Sequence, residues 1–267
     1  MKIVVAGGSG LVGSRLVTRL REAGHDVVAA SRRTGVDTVT GEGLDDAMRG
    51  AQVVIDVTNA PSFDEPDVTD FFRASTQRLL EAGERANIAH HVALSVVGTS
   101  RLQTSAYFRA KQVQEDLVRA ARVPHTLVQA TQFFEFMAGI IPRDSGHDAV
   151  HLSSGLVQPV AADDVAAHLA QIAVDAPSGA SVEIAGPDAY RLHELVQWVM
   201  YSYQDDRPVI ADPSAAYCGG ILDDHALMPG AGARIAQTHF RDWLAGLLSA
   251  NVEVPHVHHP DPISRRR

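Results

Sequence analysis

The stretch "KIVVAGGSGLVGS", Lys2 to Ser14, constrains this chain more than any other. Its first residues form a short apolar run that reads as a buried strand. Gly7, Gly10 and Gly13 follow three apart, and the periodic run that Gly24 closes reads as a helix. Glycine at such a junction serves a tight turn, close approach of the backbone to a pyrophosphate, and close packing of helix on strand. The opening turn of the helix, with free N–H groups and the positive end of the dipole, favours an anion. The segment therefore predicts a dinucleotide site built from Gly7, Ser9, Gly10, Leu11, Val12 and Gly13.

Short apolar runs then alternate with helical patterns to about residue 185. The strands are "DVVAAS", "AQVVIDV", "HVALSVV", "HTLVQAT" and "SVEIAG". They are apolar throughout, as strands covered on both faces should be. The expected fold class is α/β: a Rossmann-type doubly wound parallel sheet with a small C-terminal substrate lobe. Residues 1–131, completed by 157–186, are assigned to the dinucleotide-binding core. Residues 132–156 and 187–250 are assigned to the lobe, and the Pro-, His- and Arg-rich 251–267 to a mobile tail. The helix "DDVAAHLAQIAV" is expected to be capped by Asp163 or Asp164. Beyond Pro187 only helices and Pro/Gly-rich connections are legible.

Composition narrows the partners. A formal net charge of −9 argues against nucleic acid and anionic membrane, both of which select basic patches. The single cysteine, Cys218, fits a reducing compartment and reads as structural. No apolar run reaches the length of a membrane span, and the N-terminus carries no cleavage pattern, so a cytoplasmic protein is expected. His90 and His91 read as surface or capping residues, and no metal site is expected. Monomer and homodimer are both left open.

The second strand ends in Ser31, Arg32 and Arg33, with no acid until Asp37. An arginine at this place accommodates the 2′-phosphate of NADP(H). Thr58 and Asn59, after the third strand, are further candidate cofactor contacts. The chain has only two lysines, and one of them, Lys111, stands four residues after Tyr107 in a helical run. Residues so spaced share a helix face. An ammonium beside a phenol would lower its pKa from about 10 and make it a proton donor or acceptor near neutral pH. Ser95 ends the fourth strand, where open α/β sheets bind ligands. Phe133 and Phe136, after the fifth strand, are candidates to line an apolar substrate pocket, with Gln129 and Gln132 beside them.

The segments "AGGSGLVGS", "HHVALSVVGTSRL", "YFRAKQVQEDLV", "ATQFFEF", "VQPVAADDVA" and "IAGPDAYRLHELV" resemble the short-chain dehydrogenase/reductase superfamily in its atypical, NmrA-like, NAD(P)H-binding branch. The resemblance implies NADP(H) in a cleft between core and lobe. It also implies that Ser95, Tyr107 and Lys111 match a catalytic triad, with Lys111 also holding the cofactor ribose. Gln129 stands where such sequences commonly carry Arg. The expected function is an NADPH-dependent oxidoreductase reducing a carbonyl or similar group of a small organic molecule. The alternatives are an NADP(H)-binding redox sensor acting through a protein partner, and an epimerase or lyase on the same scaffold.

Overall fold

The structure is a computed structural model that describes residues 1–141 and 149–249. The tail at 251–267 lies outside the described residues. The strands are β1 (Lys2–Ala6), β2 (Asp26–Ala30), β3 (Val53–Asp56), β4 (His90–Val96), β5 (His125–Ala130), β6 (Val150–Leu152), β7 (Leu156–Val157), β8 (Ser181–Ala185), β9 (Tyr190–Arg191), β10 (Val209–Ala211), β11 (Ala216–Tyr217), β12 (Gly220–Ile221) and β13 (Arg234–Ile235). The α-helices are α1 (Leu11–Glu22), α2 (Leu44–Met48), α3 (Asp67–Arg85), α4 (Ala106–Ala120), α5 (Ala162–Val174), α6 (Leu192–Ser202) and α7 (Phe240–Ser249).

Seven strands form one parallel sheet in the order β13-β8-β5-β4-β3-β1-β2. β1 explains the layering. Its Ile3 and Val5 join a core with α1 and α5, while Val4 and Ala6 join another with α2 and α3. Alternate side chains leave opposite faces of a strand, so a strand covered twice must be apolar at every position. All four residues are fully buried. Each fully buried Val or Ile contributes about 1.5–3 kcal/mol. The strand order reverses between β1 and β3, and the crevice at such a switch point is where ligands bind in open α/β sheets. This is the Rossmann-like doubly wound sheet expected from the sequence.

A separate apolar cluster gathers Phe134 and Met137 of the 3-10 segment Phe134–Ile140, Leu195 and Val199 of α6, and Phe240 of α7. Rings of Phe134 and Phe240 meet edge to face at 5.1 Å.

Three local expectations change. The C-terminal part contributes short strands, and β13 adds the outermost strand of the main sheet; two-residue strands carry too little periodicity to be read from sequence. α5 starts at Ala162, so Asp163 and Asp164 lie in its first turn rather than at its cap. The buried Glu135 carboxylate takes the Ala162 N–H instead, at 3.2 and 3.3 Å. Asp163 is thereby left to pair with Arg19, and Asp164 Oδ2 to accept the Thr238 N–H. His90 and His91 are buried at the start of β4, not exposed. His90 Nε2 lies 2.9 Å from Thr126 Oγ1, and burial lowers the His91 pKa to about 4. Among the described residues no helix is long and apolar enough to cross a membrane.

Candidate active site

The β1–α1 turn is built around its glycines, each for a different reason. Gly7 has φ +81°, and a Cβ there would sit 2.7 Å from the Val57 carbonyl oxygen. Gly13 lies behind the turn, where a Cβ would come 2.2 Å from the Gly7 oxygen. Gly10 is exposed and forms the N-cap of α1, with no side chain capping the helix and no acid in its first turn. The first amides of a helix have no partner within it. An anion is what that arrangement favours.

Beyond β2 the chain turns through the 3-10 segment Arg32–Thr34. The Thr34 hydroxyl accepts the Ser31 N–H at 2.9 Å and donates to the Ala29 carbonyl, which fixes the turn and leaves both arginines exposed. Arg33 donates to the Ser9 carbonyl at 3.4 Å, tying this turn to the glycine turn. Neither Arg32 nor Arg33 makes an ion pair among the described residues. At the end of β3, the buried Asp56 carboxylate accepts the Thr58 N–H (2.9 Å) and hydroxyl (2.7 Å).

Helix α4 carries Tyr107 and Lys111 on its inward side. Tyr107 packs among Phe63, Phe72 and Phe108, with ring centroids 4.6, 6.1 and 5.7 Å away. Lys111 is buried. Its ammonium donates to the Leu94 carbonyl at 2.9 Å and to the Gln114 side-chain oxygen, and sits 4.5 Å above the Phe72 ring. Gln114 in turn donates to Asp56 at 3.0 Å. The expectation that Lys111 lowers the Tyr107 pKa does not hold here. Burial first, and then Cys218, push the phenol above its ordinary range, and the Lys111 ammonium is satisfied by other groups. Tyr107 is thus a phenol, not a phenolate, at neutral pH. Burial lowers Lys111 to about 8, opposed by the nearby carboxylates of Asp56 and Glu115.

One cavity of about 940 Å³ joins these parts. Gly7, Ser9, Gly10, Leu11 and Val12 line it from the glycine turn, and Ser31, Arg32 and Arg33 from the end of β2. Thr58 and Asn59 line it too, as do Ser95, Tyr107 and Lys111. Gln132, Phe133 and Phe136 complete the wall after β5. Two expected members are not part of the lining. Gly13 packs beneath the turn. Gln129 leaves the same face of the sheet as its register partner Ser95, but its amide is engaged by Glu115, to which it donates at 2.9 Å.

The cavity also has walls the sequence did not reveal. Asp37 to Thr40, Asp67, Asp70 and Phe71 also line it. Tyr217 and Cys218 line it from the β11–β12 hairpin, so Cys218 is not buried structure remote from the site. Cys218 has φ +49° and Gly219 φ +80°, the two left-handed positions of a tight hairpin turn. The only sequence signal for this hairpin was the Gly-Gly pair after Cys218, and nothing local ties it to α4.

The residues fit a dinucleotide cofactor. A glycine cradle that a Cβ would fill meets an uncapped helix terminus. On the opposite wall Thr131 Oγ1 and both polar atoms of the Gln132 side chain are buried with no partner among the described residues. An unpaired buried polar group costs about 1–3 kcal/mol, so a bound group that pairs with it is favoured.

Comparison with known proteins agrees with this geometry. The family model for the NAD dependent epimerase/dehydratase family matches residues 3–155, more than half of the chain, and the chain belongs to that family. It is accordingly an enzyme of the nicotinamide-dependent type. Among solved structures, it is similar to MoeE5 in complex with UDP-glucose and NAD (20% identity, 94% of this chain and 98% of that one, TM-score 0.74). It is also similar to a short-chain dehydrogenase/reductase superfamily protein from Agrobacterium tumefaciens with bound NAD (16%, 94% and 97%, TM-score 0.69). A dTDP-4-dehydrorhamnose reductase from Clostridium acetobutylicum is a third (14%, 94% and 100%, TM-score 0.71). At these identities the likeness is one of fold. No curated protein matches the chain.

A pH dependence follows from Lys111. Its charge is present below about 8 and lost above it. Affinity for an anionic dinucleotide is expected to fall as pH rises through that value, and Lys111→Met should flatten the profile. Calorimetric titrations with NADPH from pH 6.5 to 9.5 check this; a parent profile flat across that window contradicts it. The stability sign is opposite. Lys111 binds its proton less tightly folded than unfolded, so between about 8 and the ordinary 10.5 the unfolded chain holds more protons and stability rises with pH.

Proposed function

We propose that the protein is an NADPH-dependent oxidoreductase that reduces a carbonyl or similarly polarised group of a small, partly apolar organic molecule. The observation that carries this reading is the single cavity on which the glycine turn, Arg32 and Arg33, and Ser95, Tyr107 and Lys111 all open. The sequence segments quoted above support a place in the NmrA-like branch. On this reading residues 132–156 and 187–250 act as a substrate lobe over the dinucleotide core.

The cofactor, when bound, supplies the hydride. The glycine turn and the α1 terminus would hold its pyrophosphate, and Arg32 and Arg33 would hold the 2′-phosphate. Lys111 has one further N–H beyond those given to Leu94 and Gln114, and with it would hold the ribose. Tyr107, kept protonated by burial, gives its proton to the substrate oxygen. Phe63, Phe133, Phe136 and Tyr217 supply apolar contact for the rest of the molecule and exclude water. The test is to incubate the protein with NADPH and a panel of aldehydes, ketones and quinones and follow cofactor oxidation. Absence of turnover with NADPH binding intact would favour the second reading, an NADP(H)-binding regulator. What supports that reading is that Lys111 is engaged away from Tyr107.

Cofactor choice has its own test. The solved neighbours MoeE5 and the Agrobacterium protein carry NAD. Here two exposed arginines, without ion pairs among the described residues, stand at the end of β2. Arg32→Ala combined with Arg33→Ala is expected to weaken NADPH about tenfold or more, the worth of one charge-assisted hydrogen bond, and to leave NADH nearly unchanged. Equal affinities for NADPH and NADH in the parent protein would remove the basis of this assignment.

A further inference from the structure

The polar face of α4 continues one helical step past Lys111. Glu115 is buried, at 1% exposure, and does not line the cavity. Its Oε1 accepts the Ser95 hydroxyl at 2.5 Å and the Gln129 amide at 2.9 Å. Its Oε2 accepts Arg119 at 2.7 Å, and that guanidinium reaches the surface at 43% exposure. A carboxylate paired with arginine only accepts hydrogen bonds, and a serine hydroxyl has a single proton to give. Thr99 Oγ1, 3.4 Å from Ser95, directs its own proton to the Val96 carbonyl at 2.6 Å. The Ser95 proton therefore points to Glu115, away from the cavity that Ser95 lines.

We propose that Glu115 is a positioning residue of the active site, which takes the Ser95 proton so that Ser95 meets a bound molecule only as a hydrogen-bond acceptor. This deepens the reading of Ser95 and Tyr107 as the groups that face the substrate oxygen, and rests on it. The substrate oxygen then has one proton source, Tyr107. The group that suits Ser95 is one that carries a hydrogen, so the site holds the hydroxyl form of a substrate better than its carbonyl form. Arg119 and Gln129 keep the carboxylate an acceptor, which gives Gln129 a role behind the site rather than in it.

Two arms test this. The first needs no substrate. In infrared difference spectra of protein labelled with 13C-carboxyl glutamate, Ser95→Ala should shift a carboxylate band, because it removes the shortest hydrogen bond to Glu115. Gln129→Met, which removes another donor to the same oxygen, should shift the same band and so assigns it. A band unmoved by Ser95→Ala overturns the proposal. The second arm uses whichever carbonyl compound the NADPH panel turns over, with its alcohol as inhibitor. In Glu115→Gln the amide N–H can donate to Ser95 and return the serine proton to the cavity. Inhibition by the alcohol should weaken about tenfold relative to the KM of the carbonyl compound, the worth of one such bond. Ser95→Ala should lose the same preference, and the double variant should go no further than Ser95→Ala alone. Compared at pH 6.5, where Lys111 is charged, NADPH affinity should stay within about twofold throughout. Additive losses, with the preference for alcohol intact in Glu115→Gln, would mean that Glu115 only supports the fold. If no compound is turned over, it is the oxidoreductase reading that fails, and the infrared arm alone decides this one.

Discussion

Tyr107→Phe is expected to lower turnover by about 10²–10⁴-fold, the range that a positioned proton donor contributes. The change removes one oxygen and almost no volume. The ring contacts with Phe63, Phe72 and Phe108 survive it, so the fold and NADPH affinity should be preserved. With its phenol held above the ordinary range by burial, Tyr107 carries its proton at neutral pH and is available as the donor. The variant leaves the overall equilibrium unchanged, so kcat/KM should fall by the same factor in both directions. The comparison is of kcat and kcat/KM for parent and variant on the same carbonyl compound. A variant that keeps full activity would place the proton source elsewhere.

The second large effect is structural. Gly13→Ala puts a Cβ 2.2 Å from the Gly7 oxygen and 2.8 Å from the Gly8 Cα. Both neighbours are backbone and cannot swing aside, so either α1 moves away from β1 or the turn opens. Overpacking of this kind costs about 1–3 kcal/mol and sometimes more. That corresponds to a melting temperature lower by roughly 2–12 °C for a chain of this size. NADPH affinity should fall at least about tenfold as well, because the cradle and the helix terminus no longer meet the pyrophosphate together. Gly10→Val is the control. A Cβ at Gly10 finds only the Gly7 oxygen, at 3.3 Å, and the position faces the cavity. That variant should melt close to the parent and still bind NADPH and NADH more weakly by similar factors. Gly13→Ala with parental melting and parental affinity would mean that α1 adjusts without cost.

Much of this protein is determined by its sequence alone. Strands apolar at every position can only be satisfied by cover on both faces, so the parallel sheet was legible from β1 to β8. The glycine spacing was legible for the same reason: a tight turn, an anion and a close helix each exclude side chains. Tyr107 and Lys111 were legible because a helix brings residues four apart together. The same rule, applied once more, reaches Glu115, but a carboxylate four residues beyond a lysine reads as a surface pair until the packing of α4 on β4 and β5 is known. Tertiary structure decided the rest. Only the packing of α4 on β4 and β5 engages the Gln129 amide with Glu115, on the same face as Ser95 but outside the cavity lining. Only burial against Phe72 and the bonds to Leu94 and Gln114 take Lys111 away from tuning the phenol. Only the return of the chain through β11 and β12, about 110 residues after Tyr107, places Cys218 in the same cavity. Local periodicity reports which face of an element is buried. Which groups meet across that face, and hence which protons and charges are free to act, depends on contacts between residues far apart in sequence, and those are fixed only when the elements pack.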